Sequence, residues 1–370
     1  MILGIDCSTY LEELNANAKY YDKDSQIDPL DEFRKNNVST VRLRLWVNPY
    51  SRSGHPYLAG TCDLNCFLKT AKLFQSKGFD IMLDIHYSDF WADPGKQFIP
   101  KDWRENTVDG LSKRVYSYTK ETLETIKKEK IKLSYIQIGN EITNGMLWPI
   151  GKLIDSEDGK RKNYSSLITL LKAGIKASRE ITPDAQLVLH LERSYDQKVY
   201  NEFFDKITKG GVDFDIIGMS YYPYWHGNLK QFFANVDNCK KYGKKIMAVE
   251  LGYAFTLEDY IQESGVGGAK LVINENNADS FDFLKSYPVS PEGQAKFVRD
   301  FLESAKEHSL DGIFWWEPLW IPGEGICWAS EDAKEYIHET DKHSCRNEWA
   351  NQCLFDYQGR KLPAFDEYKL

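Results

Sequence analysis

The sequence predicts an α/β fold, a (β/α)8 TIM barrel built as one domain over residues 1–370. Three observations carry the prediction. Eight short β-rich runs recur along the chain, amphipathic helical patterns separate most of them, and neither a low-complexity linker nor a repeat longer than the βα unit divides it.

The runs fall at residues 2–6, 40–47, 79–87, 134–141, 186–191, 215–222, 245–250 and 312–317. Most are nearly continuous apolar stretches, as strands covered by helices on one face and by a packed interior on the other must be. Helical spacing of apolar residues follows at 64–76 after the second run, 111–130 after the third, 165–181 after the fourth, 229–242 after the sixth and 291–308 after the seventh. Two segments stand apart from this alternation. Residues 251–290 are acidic and contain Gly and Asn, and are expected to fold over one rim of the barrel; residues 331–370 are expected to supply the last helix and a closing segment.

Composition narrows the partners. A formal net charge of −8 argues against nucleic acid or an anionic membrane, both of which need clustered Lys and Arg, and favours a neutral ligand. No run approaches the roughly 20 apolar residues that cross a bilayer, and Met1 leads straight into the first strand without the apolar core of a secretion signal. The seven cysteines are odd in number, so at least one thiol has no partner within the chain; Cys62 and Cys66 offer only a weak metal or local disulfide pattern.

Chemistry in such a barrel lies at the carboxyl ends of the strands. The fourth run ends on Asn140-Glu141 and the seventh on Glu250, two strand-end carboxyls far apart in sequence. Brought together, such a pair is how glycosidases cut sugar polymers, one carboxyl protonating the leaving oxygen while the other attacks or activates water. The same ends carry Arg42, Arg44 and Trp46 on one face of the second strand, Asp84-Ile-His86 and Asp89 to Trp91 after the third, Tyr222 to His226 after the sixth, and Trp315-Trp316-Glu317 to Trp320 after the eighth. A rim built for stability alone would hold Val, Ile and Leu there.

Four stretches taken together, Asp84-Ile-His-Tyr-Ser-Asp-Phe-Trp-Ala-Asp-Pro-Gly-Lys-Gln97, Gln137-Ile-Gly-Asn-Glu-Ile-Thr-Asn-Gly-Met-Leu-Trp-Pro149, Gly218-Met-Ser-Tyr-Tyr-Pro-Tyr-Trp-His-Gly227 and Trp316-Glu-Pro-Leu-Trp-Ile321, resemble glycoside hydrolase family 53, the arabinogalactan endo-β-1,4-galactanases. The likeness extends nearly end to end, from Gly4-Ile-Asp6 through Val41 to Pro49 and on to Asn351-Gln-Cys-Leu-Phe-Asp356. The resemblance implies an endo-acting, retaining hydrolase of β-1,4-galactan, the side chains of pectin, with Glu141 as acid/base and Glu250 as nucleophile. The sequence departs from the family at Leu251, where relatives often carry Thr, and in the acidic loop after it.

Beside that resemblance, the residues suggest further roles. Arg44 and Tyr222 are expected to hold Glu250, with Arg42 as the alternative cation because it shares the strand face. Asn140 is placed to donate to the sugar 2-hydroxyl, His86 to form a hydrogen-bonding wall, and His226 to support the site. Trp316 is expected under the reacting sugar, with Trp91, Trp320 and Trp225 as platforms for neighbouring units. Asp89, Asp93, Lys96 and Gln97 form a polar loop that either binds hydroxyls or fixes itself. The chemistry requires neither cofactor nor metal; a structural calcium in the acidic loop is left open, although no D-x-D-x-D-G pattern is present. Expected partners are galactan poly- or oligosaccharide, with no nucleic acid and no membrane, and the chain is expected to be a monomer. A polymeric substrate argues for secretion, while the missing signal and odd thiol would suit the cytosol. The competing readings are another glycosidase of the same clan, such as a β-mannanase or β-glucanase, and a binding barrel without catalysis.

Overall fold

The computed structural model describes residues 1–155, 161–262, 268–336 and 345–370. Eight parallel strands close a barrel in chain order: β1 (Ile2–Asp6), β2 (Thr40–Leu45), β3 (Asp80–Ile85), β4 (Leu133–Ile138), β5 (Gln186–Leu191), β6 (Ile216–Tyr221), β7 (Lys245–Leu251) and β8 (Gly312–Trp316). The circle is completed by β1 against β8, in register from Ile2 opposite Gly312 to Asp6 opposite Trp316. All eight strands coincide with the predicted runs. The fourth stops at Ile138 rather than running on to Glu141, because Gly139 and Glu141 both take positive φ and turn the chain out of the sheet.

Helices α1 (Pro29–Lys35), α2 (Leu64–Ser76), α3 (Val108–Lys128), α4 (Tyr164–Ile181), α5 (Gln197–Lys209), α6 (Leu229–Cys239), α7 (Pro291–Glu307) and α8 (Pro363–Glu367) lie between and after the strands. Local chemistry sets where most of them begin. Asp28, Asp63, Thr107, Asp196, Asn228 and Ser290 each accept a hydrogen bond from a backbone N–H of the first turn, and Asn228 forms a reciprocal capping box with Gln231. Two of these helices were not anticipated. α1 is only seven residues long, and α5 carries its buried face on Val199, Tyr200, Phe203, Phe204 and Ile207. The 331–370 tail holds only the five-residue α8 and short 3₁₀ turns among its described residues. Of the 251–290 segment, Ala269 and Leu271 pack on Ala350, and residues 263–267 of that expectation lie outside the described residues.

Inside the barrel, side chains two apart along each strand stack in layers. The lower layer is apolar, formed by Met82, Tyr135, Val188, Ile216, Met247 and Phe314. Gly4 of β1 leaves room for the last of these, since a Cβ there would sit 2.3 Å from the Phe314 ring. One step further up, the layer turns polar with Asp6, Arg42, Asp84, Gln137 and His190, all buried. An irregularity in β7 sets the direction of its glutamate. The register slips there, with Ala248 opposite Met219 but Glu250 opposite Ser220, so one extra residue is inserted as a β-bulge. Met247 and Val249 both belong to the interior cluster, and strict alternation would turn Glu250 outward into the helix layer. The bulge restores it to the barrel mouth.

The bulge also interrupts the β7–β8 ladder between Ala248 and Leu251. The N–H of Trp315 on β8 donates instead to the Tyr368 hydroxyl at 3.0 Å, and that hydroxyl donates to Gly4 O at 2.6 Å. Tyr368 therefore ties the closing strands together. Tyr368→Phe leaves both buried groups without this partner and is expected to lower unfolding stability by about 1–3 kcal/mol in urea melts; an unchanged midpoint would show that the seam does not depend on it.

Candidate active site

Glu141 reaches the mouth through backbone that few residues tolerate. β4 ends at Ile138, Gly139 follows at φ +79°, and Glu141 sits in the left-handed region at φ +47°. A Cβ on Gly139 would lie 2.7 Å from Ile142, so glycine is required there on two counts. A left-handed Glu costs on the order of 1 kcal/mol, a local strain of the kind that collects at functional sites. It turns the carboxyl across the mouth instead of along the strand.

Glu250 meets it from β7. Its Oε1 lies 3.0 Å from Arg42 Nη2, and its Oε2 accepts from the Tyr222 hydroxyl at 2.9 Å. The pairing expected of Arg44 thus belongs to Arg42. Arg44 stands one step higher on β2, where its Nη1 contacts Glu317 Oε1 at 2.6 Å and its Nη2 donates to Ala59 O. The two arginines share a face, and height above the apolar floor decides which one reaches the bulged β7. Arg42 is fully committed, since it also contacts Asp6 at 2.7 Å, Asp84 at 2.9 Å and the Asn140 side-chain oxygen at 2.8 Å.

Carboxylate oxygens of Glu141 and Glu250 and a ring nitrogen of His190 all lie within 4.8 Å of one another. Ser220 stands among them, its Oγ 2.6 Å from Glu141 Oε1, 2.8 Å from His190 Nε2 and 3.4 Å from Glu250 Oε2. The grouping has the donor set of a cation site, but a serine hydroxyl stands within 3.4 Å of all three residues. Burial pushes Glu141 well above the ordinary carboxyl range, and the neighbouring Glu250 and Glu192 push it further. Some of its surface still faces the opening. Burial raises Glu250 as well, to about 7, with Arg42 and the Tyr222 hydroxyl pulling in the opposite direction.

The surrounding cleft has a volume of about 540 Å³. Trp91, Trp316, His86, Asn140, Tyr222, Trp225 and His226 line it as expected. His86 presents a ring edge, because its Nδ1 accepts from Trp46 Nε1 and Ala92 N, both at 3.2 Å, and its Nε2 is left to donate to Asp84 at 3.0 Å. Asn140 donates from Nδ2 to Ala92 O at 2.9 Å. Burial drives His226 down to about 3, leaving it neutral.

Two expected residues do not reach the cleft. Asp89 is fully buried and clamps the loop beneath, accepting from Asn48 N at 2.9 Å and Lys101 N at 2.8 Å. Trp320 is fully buried behind the wall, stacked on Trp328 at 5.8 Å. Trp328 and Trp349 take its place: Trp328 stacks on Trp91 at 4.6 Å and 18°, and Trp349 meets Trp316 edge-on at 4.6 Å. Neither stands at a strand end, which is the signal that marked the others. Of the polar loop, Asp93 faces the cleft and pairs with Lys96, while Gln97 donates to Asn140 O at 2.8 Å and fixes the turn. Glu192, a further cleft carboxyl immediately after β5, was also missed, although it follows an apolar strand just as Glu141 and Glu250 do. Burial raises it to about 7.

The family model of glycosyl hydrolase family 53 matches residues 2–368. An endo-beta-1,4-galactanase of Bacillus subtilis is 30% identical, covering all of this chain and 85% of its own length. A probable arabinogalactan endo-beta-1,4-galactanase A of Neosartorya fischeri is 33% identical over 87% of this chain and 85% of its own. Among solved structures, the GH53 catalytic domain of Ignisphaera aggregans superposes with a TM-score of 0.86 at 34% identity, covering 99% of this chain and 95% of that one. The chain belongs to glycosyl hydrolase family 53.

The raised Glu141 has a consequence for stability. A carboxyl whose folded pKa lies above its unfolded value favours the fold fully below the unfolded value, near 4.3, and that contribution is lost as pH rises through the folded value. Glu141→Gln removes the buried charge, so the variant is expected to match the parent near pH 4 and to exceed it at pH 8 by on the order of 1 kcal/mol. Melts at the two pH values check this; equal shifts at both would show that the charge carries no penalty.

Proposed function

We propose that this chain is an endo-acting, retaining hydrolase of β-1,4-galactan, the backbone of pectic arabinogalactan side chains, working by double displacement with Glu250 as nucleophile and Glu141 as acid/base. The observation that carries the mechanism is the separation of the two strand-end carboxyls. Oxygens within 4.8 Å leave no room for a water between carboxyl and sugar; retaining enzymes place their carboxyls about 5–5.5 Å apart and inverting ones about 6.5–9.5 Å. The substrate assignment is supported by the names of the relatives, which are galactanases at 30% identity and above.

In the first step a carboxylate oxygen of Glu250 attacks the anomeric carbon while Glu141 delivers its proton to the glycosidic oxygen, which departs with the bonding electrons. In the second, Glu141, now a carboxylate, takes a proton from water whose oxygen displaces Glu250 from the same carbon. The environments suit these roles. Arg42 and Tyr222 stabilise the charge on Glu250, whereas Glu141 has a hydroxyl and nearby acids and no cation among its largest influences. The tryptophans would hold sugar rings by their apolar faces, and the second Nδ2 hydrogen of Asn140 is the candidate donor to the 2-hydroxyl. We place the enzyme outside the cell as a monomer, since a polymer of this kind is met there.

Reducing-end release on linear β-1,4-galactan, beside mannan, xylan and β-glucan, tests the proposal. Expected are mixed short oligomers from galactan alone, a first product of retained β configuration, and a loss of about 10³-fold or more in Glu141→Gln and Glu250→Gln. Activity confined to another polymer would overturn the substrate, and activity surviving in Glu250→Gln would overturn the nucleophile. Arg42→Lys keeps the charge but loses the planar fork, and is expected to lower kcat/KM by about 10²-fold; wild-type kinetics would show that Arg42 does not act on Glu250.

A further inference from the structure

Hydrogen-bond directions around His190 can be fixed one by one. Arg42 has only donors and Ala92 O only accepts, so the Asn140 amide is oriented with Oδ1 towards Arg42 Nη2 at 2.8 Å and Nδ2 towards Ala92 O at 2.9 Å. That same Oδ1 lies 2.9 Å from His190 Nδ1. Two acceptors do not approach so closely, so Nδ1 carries the hydrogen. Gln137 Nε2 and Glu141 N approach this nitrogen only at 3.2 and 3.4 Å, and Gln137 already donates to Asp84 Oδ1 at 2.6 Å and Gly139 O at 3.1 Å. The imidazole is neutral, because burial lowers it well below the ordinary histidine range, with Arg42, His86 and His226 acting in the same direction. Its Nε2 is then a bare acceptor.

Ser220 has one hydrogen, and 2.8 Å from His190 Nε2 it must be spent there. Towards Glu141 Oε1, at 2.6 Å, Ser220 Oγ can then only accept, and the proton between those two oxygens belongs to Glu141. We infer that Ser220 and His190 form a positioning pair that selects the protonated form of Glu141, handing the enzyme a loaded general acid before the sugar arrives. Ionisation of Glu141 reverses the requirement. The carboxylate needs the Ser220 hydrogen, and taking it leaves Ser220 and His190 facing each other lone pair to lone pair. The direction set upstream by Arg42 and Asn140 thus reaches Glu141 through two buried side chains that do not line the cleft. The charges facing Glu141 directly, those of Glu250, Glu192 and Asp93, favour the same protonated state.

This inference rests on the reading of Glu141 as the acid, and the test separates the two. Ser220→Ala is expected to lower the alkaline limb of the kcat/KM profile on galactan by about one pH unit, the order of one hydrogen bond, while the acidic limb stays in place. On an aryl β-galactobioside with a dinitrophenolate leaving group, which departs without a proton, kcat/KM is expected to fall no more than about threefold. Ser220→Thr keeps a hydroxyl and should restore the limb. The carboxyl carbon of Glu141, followed by ¹³C NMR in glutamate-labelled enzyme, should titrate lower in Ser220→Ala than in the parent. An unmoved limb with equal losses on both substrates, or an unmoved ¹³C titration, would overturn the pair as a proton-selecting device. Full galactan activity in Glu141→Gln would instead overturn the acid assignment itself.

Discussion

A single buried guanidinium organises this molecule. Arg42 is 1% exposed and yet meets three carboxylates, Asp6, Asp84 and Glu250, on three different strands. Burying one cation is costly unless its surroundings return the lost hydration, and here Gln137 and Asn140 add neutral acceptors at 3.1 and 2.8 Å. The arrangement leaves little freedom. Each partner is held by Arg42 and in turn holds something else: Asp84 orients His86, Asn140 orients His190, and Glu250 is fixed at the bulge. The polar layer of the barrel is best regarded as one hydrogen-bonded body resting on an apolar floor.

Above that layer, the second arginine serves a different material. Arg44 lies 4.2 Å from the centre of the Trp91 ring and pairs with Glu317, so it braces the aromatic wall and not the Glu141–Glu250 pair. The carboxyl pair and the aromatic wall are therefore supported at separate heights, by residues two apart on one strand. A change in the wall therefore need not disturb the pair beneath it.

The fold was legible because its signals are local. Strands buried on both faces read as apolar runs, and the capping residues Asp63, Asn228 and Ser290 stand where the helices begin. Glu141 and Glu250 were found because a strand-end carboxyl after an apolar run is conspicuous in one dimension. What stayed hidden depends on height, parity or tertiary packing. Period-two reasoning puts Arg42 and Arg44 on one face but gives no level. It also fails at Val249, where an inserted residue changes parity and no glycine announces the bulge. Trp328 and Trp349 belong to loops whose path only the packed structure defines, and Ser220 looks like an ordinary small residue until Glu141 and His190 are seen on either side of it.

The seam between β1 and β8 has a meaning for how the chain comes into being. Residue 2 must pair with residue 312, and Tyr368 must reach both strands before their stray polar groups are satisfied. During synthesis the first strand therefore waits, with one edge open, until nearly the whole polypeptide has been made. Closing so long a loop is slow, and an unpaired strand edge is open to pairing with other chains. Until that pairing the first strand has one unpaired flank, and the step that closes the barrel also protects that flank from neighbouring chains.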